Sequence, residues 1–176
     1  MNTIVILCGS NCSGKTSTIK GFFNGKYALI DNHMHFFERT LDGVRVYAVN
    51  SGSPHELVKD FCRVDLVNRN IERRIEECDK RAGGQSYILI IPFTISENQD
   101  RTRLNDTCIL EPISELKKKF TVFTLYLNKK NARRQSQKDA LMKLVKDDEI
   151  ETKESDCDKS AWLEDFIRKH ILSNIS

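Results

Sequence analysis

Ile4-Val5-Ile6-Leu7-Cys8-Gly9-Ser10-Asn11-Cys12-Ser13-Gly14-Lys15-Thr16-Ser17 is the stretch that decides the fold. The aliphatic run reads as a strand, and Gly9 to Thr16 is a full match to the phosphate-loop pattern of two glycines followed by lysine and a hydroxyl residue. The glycines let the backbone curl tightly enough for successive amide N–H groups to point inward at phosphate oxygens. Lys15 adds a point charge, and Thr16 supplies the hydroxyl expected on Mg²⁺. Downstream, Ile19, Phe22 and Phe23 are spaced for a helix, whose positive N-terminal end faces the same oxygens. The expected nucleotide-binding set is therefore Gly9, Ser10, Asn11, Cys12, Ser13, Gly14, Lys15, Thr16 and Ser17, with a nucleoside triphosphate as ligand and Mg²⁺ as its companion.

Outward from that loop, Tyr27-Ala28-Leu29-Ile30 reads as a second strand ending at Asp31-Asn32. Ligands in open parallel sheets sit outside the carboxyl ends of strands, so Asp31, His33 and His35 fall beside the loop if the first two strands are neighbours. Asp-Asn also favours turns whatever the function. His33 and His35 have metal-ligand spacing without an evident third ligand. Val44 to Val49, between Asp42-Gly43 and Ser51-Gly52-Ser53-Pro54, fits a strand or an extended excursion.

From His55 to Ala82, Leu57, Phe61, Val64, Val67, Ile71, Ile75 and Cys78 recur at helical intervals, which places Arg69, Arg73 and Arg74 on the polar side. Gly83-Gly84 ends the helix, and Tyr87-Ile88-Leu89-Ile90-Ile91 is a strand buried on both faces and closed by Pro92. Ile113 to Lys119 reads as helix and Phe120 to Leu127 as strand. Asn128 to Asp148 is rich in charged and amide residues, Ile150-Glu151-Thr152 is a brief fifth strand, and a helix starts near Ser160. Strands alternating with helices imply βαβ units and a three-layer α/β/α domain on a mostly parallel five-stranded sheet.

At 176 residues the chain is one domain's worth, with no internal repeat or low-complexity linker. Charged residues make up 30% and mean hydropathy is −0.46, and no apolar run approaches a membrane span. Met1-Asn2-Thr3 lacks the basic region of a signal peptide, so the expected location is cytoplasmic. Six cysteines without a Cys-x-x-Cys pair read as reduced thiols, Cys12 lying inside the loop. A net charge of +3 and the lack of an interleaved aromatic and basic stripe argue against a nucleic-acid partner and leave a small anionic substrate open.

With these elements in place, the chain resembles the small phosphate-loop kinases: the nucleoside monophosphate, shikimate and gluconate kinases and the chloramphenicol phosphotransferase group. The resemblance implies ATP and Mg²⁺ as cofactors and a γ-phosphoryl transfer to a small hydroxyl or phosphate acceptor. It implies a lid over residues 128–148, in which Arg133 and Arg134 close on the transferring group, and a catalytic site of Lys15, Asp31, Arg133 and Arg134. Asp31 matches a carboxylate that such kinases carry at the end of the second strand to orient or deprotonate the acceptor. The chain departs from its relatives at the third strand, where Ile90-Ile91-Pro92 stands where many place a metal-binding acid. Asp31 alongside Thr16, or Glu97 or Asp100 from the following loop, then serves the metal, or metal binding is weak. That gap gives weight to a second reading, a nucleotide-dependent ATPase or regulatory switch without an acceptor. A GTPase variant, hinted at by Asn128-Lys129-Lys130-Asn131, lacks the carboxylate that would read guanine.

Overall fold

The computed structural model describes residues 2–10, 13–30, 34–49, 64–95, 107–129, 147–152 and 158–174. In chain order its elements are β1 (Thr3–Ser10), α1 (Lys15–Phe22), β2 (Ala28–Ile30), β3 (Met34–Leu41) and β4 (Val44–Val49), then α2 (Val64–Ala82) and β5 (Tyr87–Ile95). There follow α3 (Thr107–Lys119), β6 (Thr121–Lys129), β7 (Asp148–Thr152) and α4 (Lys159–Phe166). A π-helical turn, Ile167–Ile171, and a 3-10 turn, Leu172–Asn174, extend α4.

Among the described residues the strands form one sheet in the order β2-β3-β4-β5-β1-β6-β7. The neighbours from β4 to β7 run parallel, whereas β3 is antiparallel to both β2 and β4. The expected five-stranded sheet is thus corrected to a mixed, seven-stranded one. Val44–Val49 is a sheet strand, and Met34–Leu41 is a strand that the periodicity of the sequence conceals. Phe36 and Phe37 are consecutive and both buried, because each faces a different layer of helices, and a strand covered on both faces loses the alternation that marks a half-buried one. Asp42 and Gly43, at φ 49° and 84°, form the two-residue turn between β3 and β4, the backbone geometry that suits a twisted hairpin.

Pro92 does not close β5, which continues to Ile95. The ladder between β4 and β5 ends at Ile90, while that between β1 and β5 continues past Pro92. Beyond Ile90 the strand has one described partner instead of two, which is where a strand tolerates proline.

Two apolar clusters lie on opposite faces of the sheet. Ile4, Ile6 and Cys8 of β1 pack with Val67, Ile71 and Cys78 of α2 and Ile113 and Leu116 of α3. Val5 and Leu7 pack on the other face with Ile19 and Phe22 of α1 and Leu163, Phe166, Ile167 and Ile171 of the C-terminal helical segment. Alternation along β1 alone separates the two sets. Arg74 departs from its expected place on the polar side of α2. It is 1% exposed, in register with the buried Val67, Ile71 and Cys78, and its Nε donates to Asn70 Oδ1 at 3.0 Å.

Crossover direction fixes which face each helix covers. From β1 the chain moves leftward to β2 through α1 on one face, whereas from β5 it moves rightward to β6 through α3 on the other. With crossovers of one hand, opposite directions require opposite faces. The neighbours β1 and β5 stay paired to their carboxyl ends, but the helices that follow them cover opposite faces, which makes this the topological switch point where open α/β sheets have their ligand crevice.

A charged network ties the β3–β4 turn to the helices behind it. Arg39 donates to Phe22 O and pairs with Glu164 at 2.7 Å; Arg168 pairs with Glu164 at 2.9 Å and with Asp42. Burial alone would push the Glu164 carboxyl up, but hydrogen bonds from Arg168 and Arg39 together with their charges outweigh it and hold the group below its ordinary range.

Candidate phosphate-binding site

The loop between β1 and α1 folds back over the end of its own strand. A Cβ on Gly9 would lie 2.3 Å from Ser13 Oγ and 3.2 Å from Leu127 Cβ. No side chain fits there without moving Ser13, which is itself buried. Gly14 caps α1 at φ 92°, a left-handed conformation that costs other residues roughly 1–2 kcal/mol. The first glycine of the motif is thus required by space and the second by backbone conformation.

Lys15 opens α1 and is 7% exposed. Its Nζ donates to Gly9 O at 2.8 Å and lies 3.5 Å from Ser13 Oγ, so the ammonium bridges the two limbs of the loop. Gly14 O accepts from Thr18 N at 2.8 Å, from Ser17 Oγ at 2.8 Å and from Thr18 Oγ1 at 2.9 Å. These bonds anchor the first turn of α1, and Thr16 and Ser17 stand exposed on it. Cys8, directly under the loop, is fully buried; burial pushes its thiol up to about 12, and the nearby Lys15 charge only partly offsets this. Cys8 is therefore a packed, protonated thiol and no nucleophile.

A second lysine meets the loop from the far end of the chain. Lys159, the first residue of α4, is 3% exposed, and its Nζ donates to Ser13 O at 2.8 Å. The next residue, Ser160, donates from Oγ to Thr18 O at 3.0 Å, and a Cβ on Gly21 would lie 2.3 Å from that same Oγ. Helices α1 and α4 thus meet at a glycine contact beside the loop. Sequence reasoning missed Lys159, because an isolated lysine at a helix start carries no local sign of a partner 146 residues away.

Thr94 stands level with Gly9 across the β1–β5 ladder and is buried. It shares the face of β5 that carries Ile88 and Ile90, the face that α1 covers. This places a hydroxyl residue on the β5 side of the switch point.

Of the remaining expected residues, His35 alone is described. The placement of Asp31, His33 and His35 beside the loop required β2 to neighbour β1, but β3, β4 and β5 intervene. Four strand spacings separate β2 from β1 by about 19 Å. His35 lies on β3, paired with Leu29 of the edge strand β2 and against the Tyr27 ring, 4.4 Å between centroids. Asp31 and His33 themselves lie outside the described residues, as do Asn11, Cys12, Glu97, Asp100, Arg133 and Arg134. Among the described residues no helix is long and apolar enough to cross a membrane.

No protein-family model matches the chain, and none of the curated proteins it was compared with is significantly similar to it.

Proposed function

We propose that the chain binds a Mg²⁺-nucleoside triphosphate, ATP first, on the loop from Gly9 to Ser17 and transfers its γ-phosphoryl group to a small hydroxyl or phosphate acceptor. The observation that carries this reading is the strand, curled loop and helix at the β1–β5 crevice, with the Lys15 ammonium hydrogen-bonded at 2.8 Å to the carbonyl of the first loop glycine. In that position Lys15 is held at the loop, where a phosphate oxygen can replace the Gly9 carbonyl.

In the proposed reaction the acceptor oxygen forms a bond to the γ-phosphorus as the bond to the β–γ bridging oxygen breaks, and the nucleoside diphosphate leaves. Charge on the equatorial oxygens is met by Lys15, the loop amides and the N-terminal end of α1. Thr16, exposed on the first turn of α1, is the residue that would hold Mg²⁺, which supplies further charge neutralisation when bound. Thr94 supplies a hydroxyl on the other side of the crevice. Arg133 and Arg134 enter as the lid residues that the family resemblance assigns. Asp31 enters as the carboxylate that the family resemblance assigns to the acceptor, taking the proton of a hydroxyl acceptor as the new bond to phosphorus forms, with its alternative role alongside Thr16 on the metal left open.

A coupled assay separates this reading from an acceptor-free ATPase. ATP consumption that appears only when a small hydroxyl or phosphate compound is supplied, with phosphate recovered on that compound, supports transfer. Steady hydrolysis indifferent to every acceptor overturns it. Thermal-shift titrations with ATP and GTP read base preference, because a ligand bound to the native state raises its melting temperature by mass action.

A further inference from the structure

Lys15 is the lysine that the loop motif predicts, but Lys159 is the one that tells how the loop is held. Its ammonium is buried, rises from the first turn of α4 and donates to Ser13 O at 2.8 Å. The bond acts on a peptide plane. In a trans peptide the carbonyl oxygen of one residue and the N–H of the next point in opposite directions. Fixing Ser13 O toward α4 therefore turns the Gly14 N–H away from α4.

That plane is free to turn without such a restraint. Gly14 has no Cβ and sits at φ 92°, and glycine populates positive and negative φ with similar ease. A flip of the Ser13–Gly14 peptide would replace a donor with a carbonyl oxygen where an anion is to bind. The restraint is also well founded. Ser160 Oγ bonds to Thr18 O, and the Gly21 contact brings α4 against α1 with no space for a methyl group, so the base of Lys159 is rigid relative to the helix that the loop feeds.

We propose that Lys159 is a positioning residue of the phosphate loop: by holding the Ser13 carbonyl outward it aims the Gly14 N–H into the phosphate site. The proposal rests on the nucleotide reading and adds a latch supplied by the C-terminal helix. Lys15 moves to the phosphate when ligand arrives, whereas Lys159 stays on the carbonyl.

The test compares the full chain with Lys159→Met, which keeps most of the volume and removes the charged donor, and with Ser160→Ala, which removes one hydrogen bond to α1 but keeps the lysine and the Cβ that packs at Gly21. The probes are Mg²⁺-ATP and inorganic tripolyphosphate, titrated calorimetrically. The Gly14 amide is followed in glycine-labelled amide NMR spectra, which hold few peaks because the chain has eight glycines. Lys159→Met is expected to weaken both probes about tenfold or more, the scale of one charge-assisted hydrogen bond. It is also expected to abolish the downfield shift of the Gly14 amide that phosphate binding produces in the native chain. Ser160→Ala is expected to stay within about twofold of native.

If Lys159→Met binds like native with the Gly14 shift intact, the proposal is overturned. It is equally overturned if Ser160→Ala loses as much affinity, since the effect then belongs to helix docking. Should the methionine variant not fold, Lys159→Gln, with a neutral donor on a shorter stem, is read by the same two measurements and the same criteria. A native chain that binds neither probe removes the nucleotide reading and this latch together, whereas native binding with an indifferent Lys159 removes only the latch.

Discussion

The two flanks of the sheet are specified by different means. From β5 through β1 to β6 the strands are parallel and apolar on both faces, and they end at a loop whose shape is set by backbone demands: a glycine with no space for Cβ, a glycine at positive φ, and carbonyls held by ammonium groups. From β4 through β3 to β2 the pairing is antiparallel, the last strand has three residues, and Leu29 on it is 62% exposed. That flank is set by side-chain packing, with Phe37 against Phe23 and Tyr27 at 5.5 and 5.7 Å between ring centroids. Backbone demands leave a signature in residue identity at fixed spacing. Packing demands leave only apolarity, which many sequences share.

If the division is sound, the flanks respond separately. Phe37→Ala, at a fully buried ring, is expected to cost about 3–5 kcal/mol of stability while the folded fraction binds ATP within about twofold of native. Urea denaturation alongside calorimetry reads both, and a folded variant that has lost nucleotide affinity breaks the comparison. Gly9→Ala is the converse change. Its methyl group meets Ser13 Oγ, so a loss of about 1–3 kcal/mol from overpacking is expected together with a marked fall in ATP affinity. Retained affinity would mean that the loop is not held where it must be.

The smallest effect sharpens the comparison at the hairpin. Because the folded carboxyl of Glu164 lies below its ordinary value of 4.5, its contribution is fully present above that pH and is lost as pH falls through the lower, folded value. With the pair partly exposed, Glu164→Gln is expected to cost less than about 1 kcal/mol at neutral pH. The gap between variant and native should close as the solution is acidified below pH 4.5. A gap that widens in acid would show that the Arg39–Glu164–Arg168 network does not act as described.

What could be read from the sequence follows the same division. β1, β5, β6 and the loop were legible because continuous aliphatic runs and a glycine-lysine pattern have few alternative explanations. β3 was not: Met34-His35-Phe36-Phe37-Glu38 has neither alternation nor a helical period, because the strand is covered on both faces near its start and opens to solvent further on. The Asp42-Gly43 pair was its usable sign, since such a turn after Leu41 and before Val44 asks for a strand on each side. Arg74 was legible in principle, lying on the stripe of Val67, Ile71 and Cys78, although a charged side chain by itself points to the polar face. Lys159 had no local sign at all, because its partner is fixed by the packing of α4 on α1.

Calorimetric titration of Mg²⁺-ATP into the native chain and into Lys15→Ala tests the central claim most directly. The account predicts saturable binding to one site on the native chain, weakened about 100-fold in the alanine variant by loss of a charged donor, with the variant still folded by circular dichroism. A folded native chain that gives no binding isotherm, or an alanine variant that binds as tightly as native, would contradict it.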